Sequence, residues 1–455
     1  MGYNMKTQKE EVQNRTMLTD LYQLTMNAVY FARDKNDLAT FDLFIRNLPK
    51  DRGFFIANGI EDAIDYSINI GFNDEDIEYL RSQGIFNNDY LDSLRNFKFT
   101  GDIYSVKEGT PVNANTPILS VTAPRMEAQL LETMLLNTIN FQTMIATKAN
   151  RVVNVANNSR VLDFGLRRAQ EKDAAIKGAR AAYIGGAIAT SNVLAGKELG
   201  IPISGTQAHS SIMSFSNELE AFRAYVQTFP NNPVLLIDTY DTILGAKNAS
   251  IIGKELESKG ERLGAVRLDS GDLAELSKQV RTVLDQANLS YVRIVASDDL
   301  NEYKISELKK RGARIDGYGV GTELITAKPV AAISGVYKLV EDEQGGKIKL
   351  SEGKKSYPGK KQVYRVEENG QFVEDILALE YETVNGTPLL EKVVENGKRV
   401  IPRRNLREIR TYCLEQVAKM PARTKEVIAT PYTFRESQEL KNLVNELTPR
   451  YTLER

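Results

Sequence analysis

The stretch "GAVRLDSGDLAELSKQVRTVLDQANLSYVRIVASDD", residues 264–299, decides the fold. Two short apolar runs, "GAVRL" and "VRIVA", each stop at a Ser- and Asp-rich turn. Between them Leu273, Leu276, Val280 and Leu284 recur at helical spacing. Strand, helix, strand in one direction predicts a parallel sheet with crossover helices. The same rhythm extends both ways. Upstream lie "RVLDFG" (160–165), "AAYIGGA" (181–187), "IPISGT" (201–206) and "PVLLIDTY" (233–240); downstream lie "RIDGYGVGT" (314–322) and "GVYKLV" (335–340). Eight strand candidates predict an α/β protein built on an irregular, TIM-like β/α barrel over residues 141–340. A doubly wound sheet is the alternative, but the glycine fingerprint of dinucleotide binders is absent.

The flanks read differently. Residues 1–140 predict a mixed α+β N-terminal domain: a helix in "LTDLYQLTMNAVYFAR" (18–33), a strand in "TFDLFIRNLP" (40–49), and short strands in "TGDIYSVKEGTPVNANTPILSVTAP" (100–124). One long buried helix is expected over 126–157. Residues 341–455 predict a small C-terminal domain of β-hairpins and charged helices. The lysine-rich "GKKSYPGKK" (353–361) reads as a solvated hairpin before it reads as a phosphate site.

Composition narrows the function. The 455 residues carry 59 Lys+Arg against 60 Asp+Glu, a net charge of −1, so nothing marks the chain for nucleic acid. No apolar run reaches the ~18 residues of a membrane span. The opening residues lack the apolar core of a signal peptide, and Lys6 stands where myristoylation favours Ser or Thr. The single cysteine, Cys413, permits no internal disulfide and fits a reducing, cytoplasmic setting, where it reads as core filler. One His and one Cys exclude a zinc site built from those residues.

In a β/α barrel the chemistry gathers where strands end. Those ends carry Asp163 and Arg167, Thr206 and His209, Asp238 and Asp241, Arg267, Asp269 and Asp272, Ser297, Asp298 and Asp299, then Gly319, Gly321 and Thr322. Carboxylates, arginines and a glycine-rich turn on one rim suit a phosphorylated, metal-bound substrate. Each also has a bland reading. An Asp after a strand is often only a helix cap, and Asp269 or Ser270 is placed to cap the helix that follows. His209, the only histidine, precedes "SSIMSFSNELEAFRAYV", read as a helix with Ser210 or Ser211 near its cap. A phosphoryl group on that imidazole would gain N–H hydrogen bonds from the helix start. The bland alternative is a polar residue at a helix start.

Taken in order, "LTDLYQLTM", "FDLFIRNLPKDRGFFIANGI", "LDFGLRRAQ", "GTQAHSSIMSF", "LLIDTYDT", "VRLDSGDL", "GYGVGTELIT" and "PGKKQVYR" resemble the nicotinate phosphoribosyltransferase family. The resemblance implies an ATP-coupled, ligase-type enzyme of NAD salvage. Nicotinate and phosphoribosyl pyrophosphate would give nicotinate mononucleotide and pyrophosphate, with ATP as co-substrate and Mg²⁺ as cofactor. It implies His209 as the residue phosphorylated by ATP. It implies Tyr22, Thr206, Arg267 and Ser191 around nicotinate, Tyr22 coming from the other subunit of a homodimer with shared sites. It implies Arg167, Asp238, Asp269, Gly319, Gly321 and Thr322 around phosphoribosyl pyrophosphate, with Asp238 and Asp269 also toward Mg²⁺. Ser191 stands where the nicotinamide enzyme of this superfamily has an aspartate. A carboxylate there would repel nicotinate, so Ser191 favours the acid over the amide.

Overall fold

The computed structural model describes residues 15–157, 159–351 and 356–452. The opening stretch that carries the leader and Lys6 readings lies outside the described residues, as do Gly353, Lys354 and Lys355 of the lysine-rich run. Six strands form the parallel sheet. Their spatial order is Ala189–Thr190, Arg160–Asp163, Gly317–Val320, Arg293–Ala296, Ala265–Leu268, Val234–Leu236. Every neighbouring pair is parallel. The 264–299 stretch is in the middle of this arrangement: its two strands pair from Arg293 with Ala265 to Ala296 with Leu268. The intervening helix, Leu273–Gln286, buries Leu273, Val280 and Leu284 on the sheet side.

Three strand expectations need correction. "GVYKLV" leaves the parallel sheet; Gly335–Asp342 runs antiparallel to Leu38–Ile45, where Tyr337 stacks on Phe41 at 5.0 Å. An apolar run does not reveal which sheet will take it. "AAYIGGA" is the end of the helix Lys172–Ile184, and the strand is Ala189–Thr190. Its small residues serve close helix packing: a Cβ on Gly185 would meet the Ala146 carbonyl oxygen at 2.4 Å. "IPISGT" contributes one parallel bridge, Thr190 to Ile203. Among the described residues the parallel sheet is therefore six strands and a bridge, and no ladder joins Val234–Leu236 back to Ile203.

The second layer is a seven-stranded sheet that combines Leu38–Ile45, Asp102–Ser105 and Leu119–Pro124 with Gly335–Asp342, Gly345–Gly346, Glu391–Glu395 and Lys398–Arg399. A third, four-stranded sheet holds the hairpin Lys361–Glu368 and Gln371–Leu379 with Thr387–Pro388 and Phe434–Glu436. The expected long helix is two, Arg125–Leu130 and Glu132–Ala156, separated at Leu131. The longer one is the spine between layers: Leu135 and Ile139 join the N-terminal core, while Ile145, Ala149 and Val152 join the core of the parallel sheet. Cys413 is fully buried, and burial pushes its thiol up to about 12, as core filler should be.

The helix Thr242–Glu257 follows the loop after Val234–Leu236 and sets the level of the rim. Gly245 lets that helix rest on the preceding chain; a Cβ there would lie 2.0 Å from the Ile237 carbonyl oxygen. Gly245→Ala should lose about 1–3 kcal/mol, because backbone must move. Gly205→Ala, whose Cβ meets nothing within 4 Å, should stay within about 0.5 kcal/mol of the parent. Urea unfolding followed by circular dichroism compares the two.

Candidate functional site

Five of the expected site residues meet at one edge of the parallel sheet. Arg267, in the strand Ala265–Leu268, donates from Nη1 to Thr206 Oγ1 at 2.7 Å and from Nη2 to the Gln207 carbonyl at 3.1 Å. Burial lowers the guanidinium pKa; Asp269 and Asp238 counter that, and the charge of nearby Arg167 adds to it. His209 sits between neighbouring loops. Its Nδ1 lies 3.2 Å from Thr239 Oγ1, and its Nε2 lies 3.6 Å from Asp269 Oδ2. Asp269 Oδ1 accepts from the Ser297 hydroxyl, and Oδ2 is also 4.0 Å from Arg267. Asp238 Oδ2 accepts from the Asp269 backbone N–H and from Ser270 Oγ, both at 2.7 Å.

Several polar atoms here are buried without a protein partner: Arg267 Nε, Asp238 Oδ1 and Gln207 Oε1. A buried donor or acceptor of this kind costs about 1–3 kcal/mol, and a bound ligand or water at the site would relieve that cost. Among the described residues no group of three or more His, Cys, Asp or Glu is placed to hold a metal ion. Asp238 and Asp269 still fit Mg²⁺. That ion needs one or two protein carboxylates when substrate phosphates and water complete its shell, and Asp238 keeps one oxygen free of protein donors.

The other expected residues make no hydrogen bond or ion pair with this cluster among the described residues, although Arg167 is near enough for its charge to act on Arg267. Arg167 is exposed on the short turn Leu166–Arg168. Ser191 is half-buried and donates its N–H to the Asp163 carbonyl at 2.8 Å. Gly319 lies within a buried strand, where a Cβ would press on the Phe164 ring at 2.4 Å. Close packing alone therefore requires that glycine. Gly321 precedes the four-residue helix Thr322–Ile325, with a Cβ position 3.2 Å from the Phe164 carbonyl. Tyr22 is exposed on the helix Leu21–Ala32, which packs on Arg125–Leu130. No hydrogen bond or ion pair joins it to the cluster among the described residues.

Four local readings change. Asp163 faces inward: it accepts from Gly165 N–H at 2.9 Å and Thr190 Oγ1 at 2.7 Å, and burial raises its carboxyl above the ordinary range. Asp241 caps Thr242–Glu257 through Leu244 N–H. Asp272 caps Leu273–Gln286, the role assigned to Asp269 or Ser270; it stands directly before the helix, so only its side chain reaches the Ala274 and Glu275 N–H groups. The helix after His209 is interrupted. His209–Met213 is five residues long, begins after Ala208, and has no cap from Ser210 or Ser211. A second helix, Glu218–Thr228, restarts at Asn217, which caps it.

Thr239, which sequence reading missed, contacts His209; Ser297, read at a strand end, donates to Asp269; and Ser270, read only as a helix cap, donates to Asp238. Thr239 stands between the two aspartates of "IDTYDT", and that position was its only signal.

Residues 17–140 match the nicotinate phosphoribosyltransferase (NAPRTase) N-terminal domain, 159–351 the nicotinate phosphoribosyltransferase (NAPRTase) family, and 383–444 its C-terminal domain. A nicotinate phosphoribosyltransferase of Mycobacterium tuberculosis is 41% identical over 419 residues, covering 92% of this chain and 90% of that protein. The Bacillus subtilis protein of the same name is 47% identical over 377 residues, covering 81% and 76%. The crystal structure of human nicotinic acid phosphoribosyltransferase superposes with a TM-score of 0.82 at 27% identity, covering 94% of this chain and 99% of that one.

The Asp163 brace under the rim is testable. Burial raises this carboxyl above 3.8, so ionising it costs stability as pH rises past that value. Thr190→Val removes one of its two donors and enlarges the cost where the carboxylate is ionised. The variant should lose about 1–3 kcal/mol at pH 8 and less at pH 4. Urea midpoints at the two pH values decide it; a loss independent of pH counts against the assignment.

Proposed function

The chain belongs to the nicotinate phosphoribosyltransferase family, and we propose that it joins nicotinate to the ribosyl carbon of phosphoribosyl pyrophosphate. The pyridine nitrogen forms the new bond to the anomeric carbon. The bond from that carbon to pyrophosphate breaks, and its electron pair leaves with the pyrophosphate oxygen. The products are nicotinate mononucleotide and pyrophosphate, a step that supplies NAD salvage. The carrying observation is the buried Arg267, held by Thr206 and the Gln207 carbonyl with its Nε free of protein partners, on the same edge as His209.

Arg267 and Thr206 take the nicotinate carboxylate, which a guanidinium grips in a bidentate fork. Ser191 keeps the pocket wall neutral toward it. Arg167 takes phosphate, Gly319, Gly321 and Thr322 form the turn that takes the 5-phosphate, and Asp238 and Asp269 take the ribose side and would hold Mg²⁺. The metal supplies charge neutralisation at the leaving pyrophosphate. Thr239 and Ser297 orient His209 and Asp269.

His209 accepts the γ-phosphoryl group of ATP, releasing ADP; water later returns the imidazole and frees phosphate. Coupling then requires that the two enzyme states bind substrates and products differently. Tyr22 reaches the pyridine ring of a second copy in a homodimer. Its own helix carries Leu21 and Tyr22 exposed, while Val193, Ile203, Met213 and Tyr240 are exposed around the rim. We place the reaction in the cytoplasm, the reducing setting that a single cysteine fits; no described helix is long and apolar enough to cross a membrane.

Arg267→Ala should cut nicotinate kcat/KM by roughly 10- to 150-fold, the worth of a charge-assisted pair of about 1.5–3 kcal/mol. Unchanged steady-state constants would remove Arg267 from the pocket. For His209, γ-labelled ATP should leave an acid-labile, alkali-stable phosphate on the chain, at most one per subunit, because this is the only histidine. His209→Asn should lose the label and the ATPase activity yet keep slow, ATP-independent nucleotide synthesis. Full ATP stimulation in that variant would make the histidine a bystander.

A further inference from the structure

One buried lysine links the loops that follow two neighbouring strands. Lys148 lies on the spine helix Glu132–Ala156 and is 1% exposed. Its Nζ donates to Glu302 and to the Lys328 carbonyl, the latter at 2.6 Å, and lies 3.5 Å from Glu323 Oε2. Glu302 opens the helix Glu302–Lys310, directly after the loop that carries Ser297, Asp298 and Asp299. Glu323 is the second residue of Thr322–Ile325, directly after Gly321. The parent strands, Arg293–Ala296 and Gly317–Val320, are paired.

The charges are unequal in their duties. Glu302 is fully buried and also meets Arg151 Nε at 3.2 Å and Arg52 Nη2 at 3.6 Å. It is neutralised without Lys148. Glu323 has Lys148 as its only ion-pair partner among the described residues, and it adjoins the turn read above as the 5-phosphate site. An uncompensated carboxylate one residue from that turn would repel a phosphate dianion, and low local dielectric would strengthen the repulsion.

We propose that Lys148 is a positioning residue for the phosphoribosyl group: anchored by Glu302 and the Lys328 carbonyl, it neutralises Glu323 and so makes the Gly321–Thr322 turn able to hold a phosphate. This rests on the reading of that turn given under the proposed function. None of Lys148, Glu302 and Glu323 makes a hydrogen bond or ion pair with the Arg267–His209 cluster among the described residues.

The test is calorimetric binding of ribose 5-phosphate, alongside steady-state kinetics. Lys148→Met should weaken ribose 5-phosphate about tenfold and raise KM for phosphoribosyl pyrophosphate by a similar factor. The nicotinate KM and kcat at saturation should stay within about twofold. Adding Glu323→Gln to Lys148→Met should recover most of the loss, which a purely structural role for the lysine would not allow. Glu323→Gln alone, at a half-buried surface position, should bind ribose 5-phosphate as tightly as the parent or tighter. That single variant carries the test if Lys148→Met does not fold. Weaker binding by Glu323→Gln, or parental binding by Lys148→Met, overturns the proposal. A parent protein that binds neither ribose 5-phosphate nor phosphoribosyl pyrophosphate sinks the proposed activity itself, a result distinct from either.

Discussion

Parallel pairing is the constraint on which the site depends. Strands that run the same way all finish on one edge, so each hands its chain to a loop on the same side of the sheet. Asp163, Leu236, Leu268, Ala296 and Val320 end such strands. Residues as distant in sequence as His209 and Ser297 thereby reach one carboxylate, Asp269. Asp238 then turns proximity into geometry. By accepting from the Asp269 N–H and the Ser270 hydroxyl, it ties the turn after one strand to the turn after its neighbour.

Elsewhere several buried charges are paired. Arg180 meets Glu108 through both Nη atoms, Arg365 is bidentate to Asp375, and Lys361 meets Asp42 at 3.0 Å. Single polar atoms still go without a hydrogen bond away from the rim, among them Arg365 Nη1, Arg52 Nη1 and both Asp42 oxygens. On the rim, Arg267 uses two nitrogens on Thr206 and Gln207 and leaves Nε buried without a partner, while Asp238 leaves Oδ1 in the same condition. Open donors and acceptors on one edge, beside His209 and Asp269, are what a preorganised site requires. The preorganisation is local, because Asp163, a few residues from Arg167, is fully braced and faces inward.

How much of this could be read from the chain follows from what each signal encodes. The strand–helix rhythm of 264–299 encodes the parallel sheet, since the alternation of 2.0 and 3.6 periods has few other solutions. Asp238, Arg267 and Asp269 stood out as charges at apolar strand ends, where burial demands a reason. Thr239 did not, because a hydroxyl beside a strand is ordinary and its partner is distant in sequence. "GVYKLV" was misplaced because an apolar run carries no record of its neighbour; the Phe41–Tyr337 stack that decides it joins residues 296 positions apart. The cap at Asp272 was misassigned by two or three residues, within the freedom that several adjacent capping types allow.

The chain's departure from the parallel sheet after Ile325 has a mechanical consequence. Gly335–Asp342 enters the N-terminal sheet soon after the turn at Gly321, so that turn is bounded on one side by a strand of the parallel sheet and on the other by the N-terminal sheet. The spine helix closes the same loop from within. Its start is fastened to the Tyr22 helix, where Gln23 donates to Glu132 at 2.9 Å, and its middle reaches Glu302 and Glu323 through Lys148. The helix that carries Tyr22 and the turn that carries Thr322 therefore share one support. Displacing the spine helix at Lys148 would have to break a buried, charge-assisted contact with Glu302, which a low-dielectric interior strengthens.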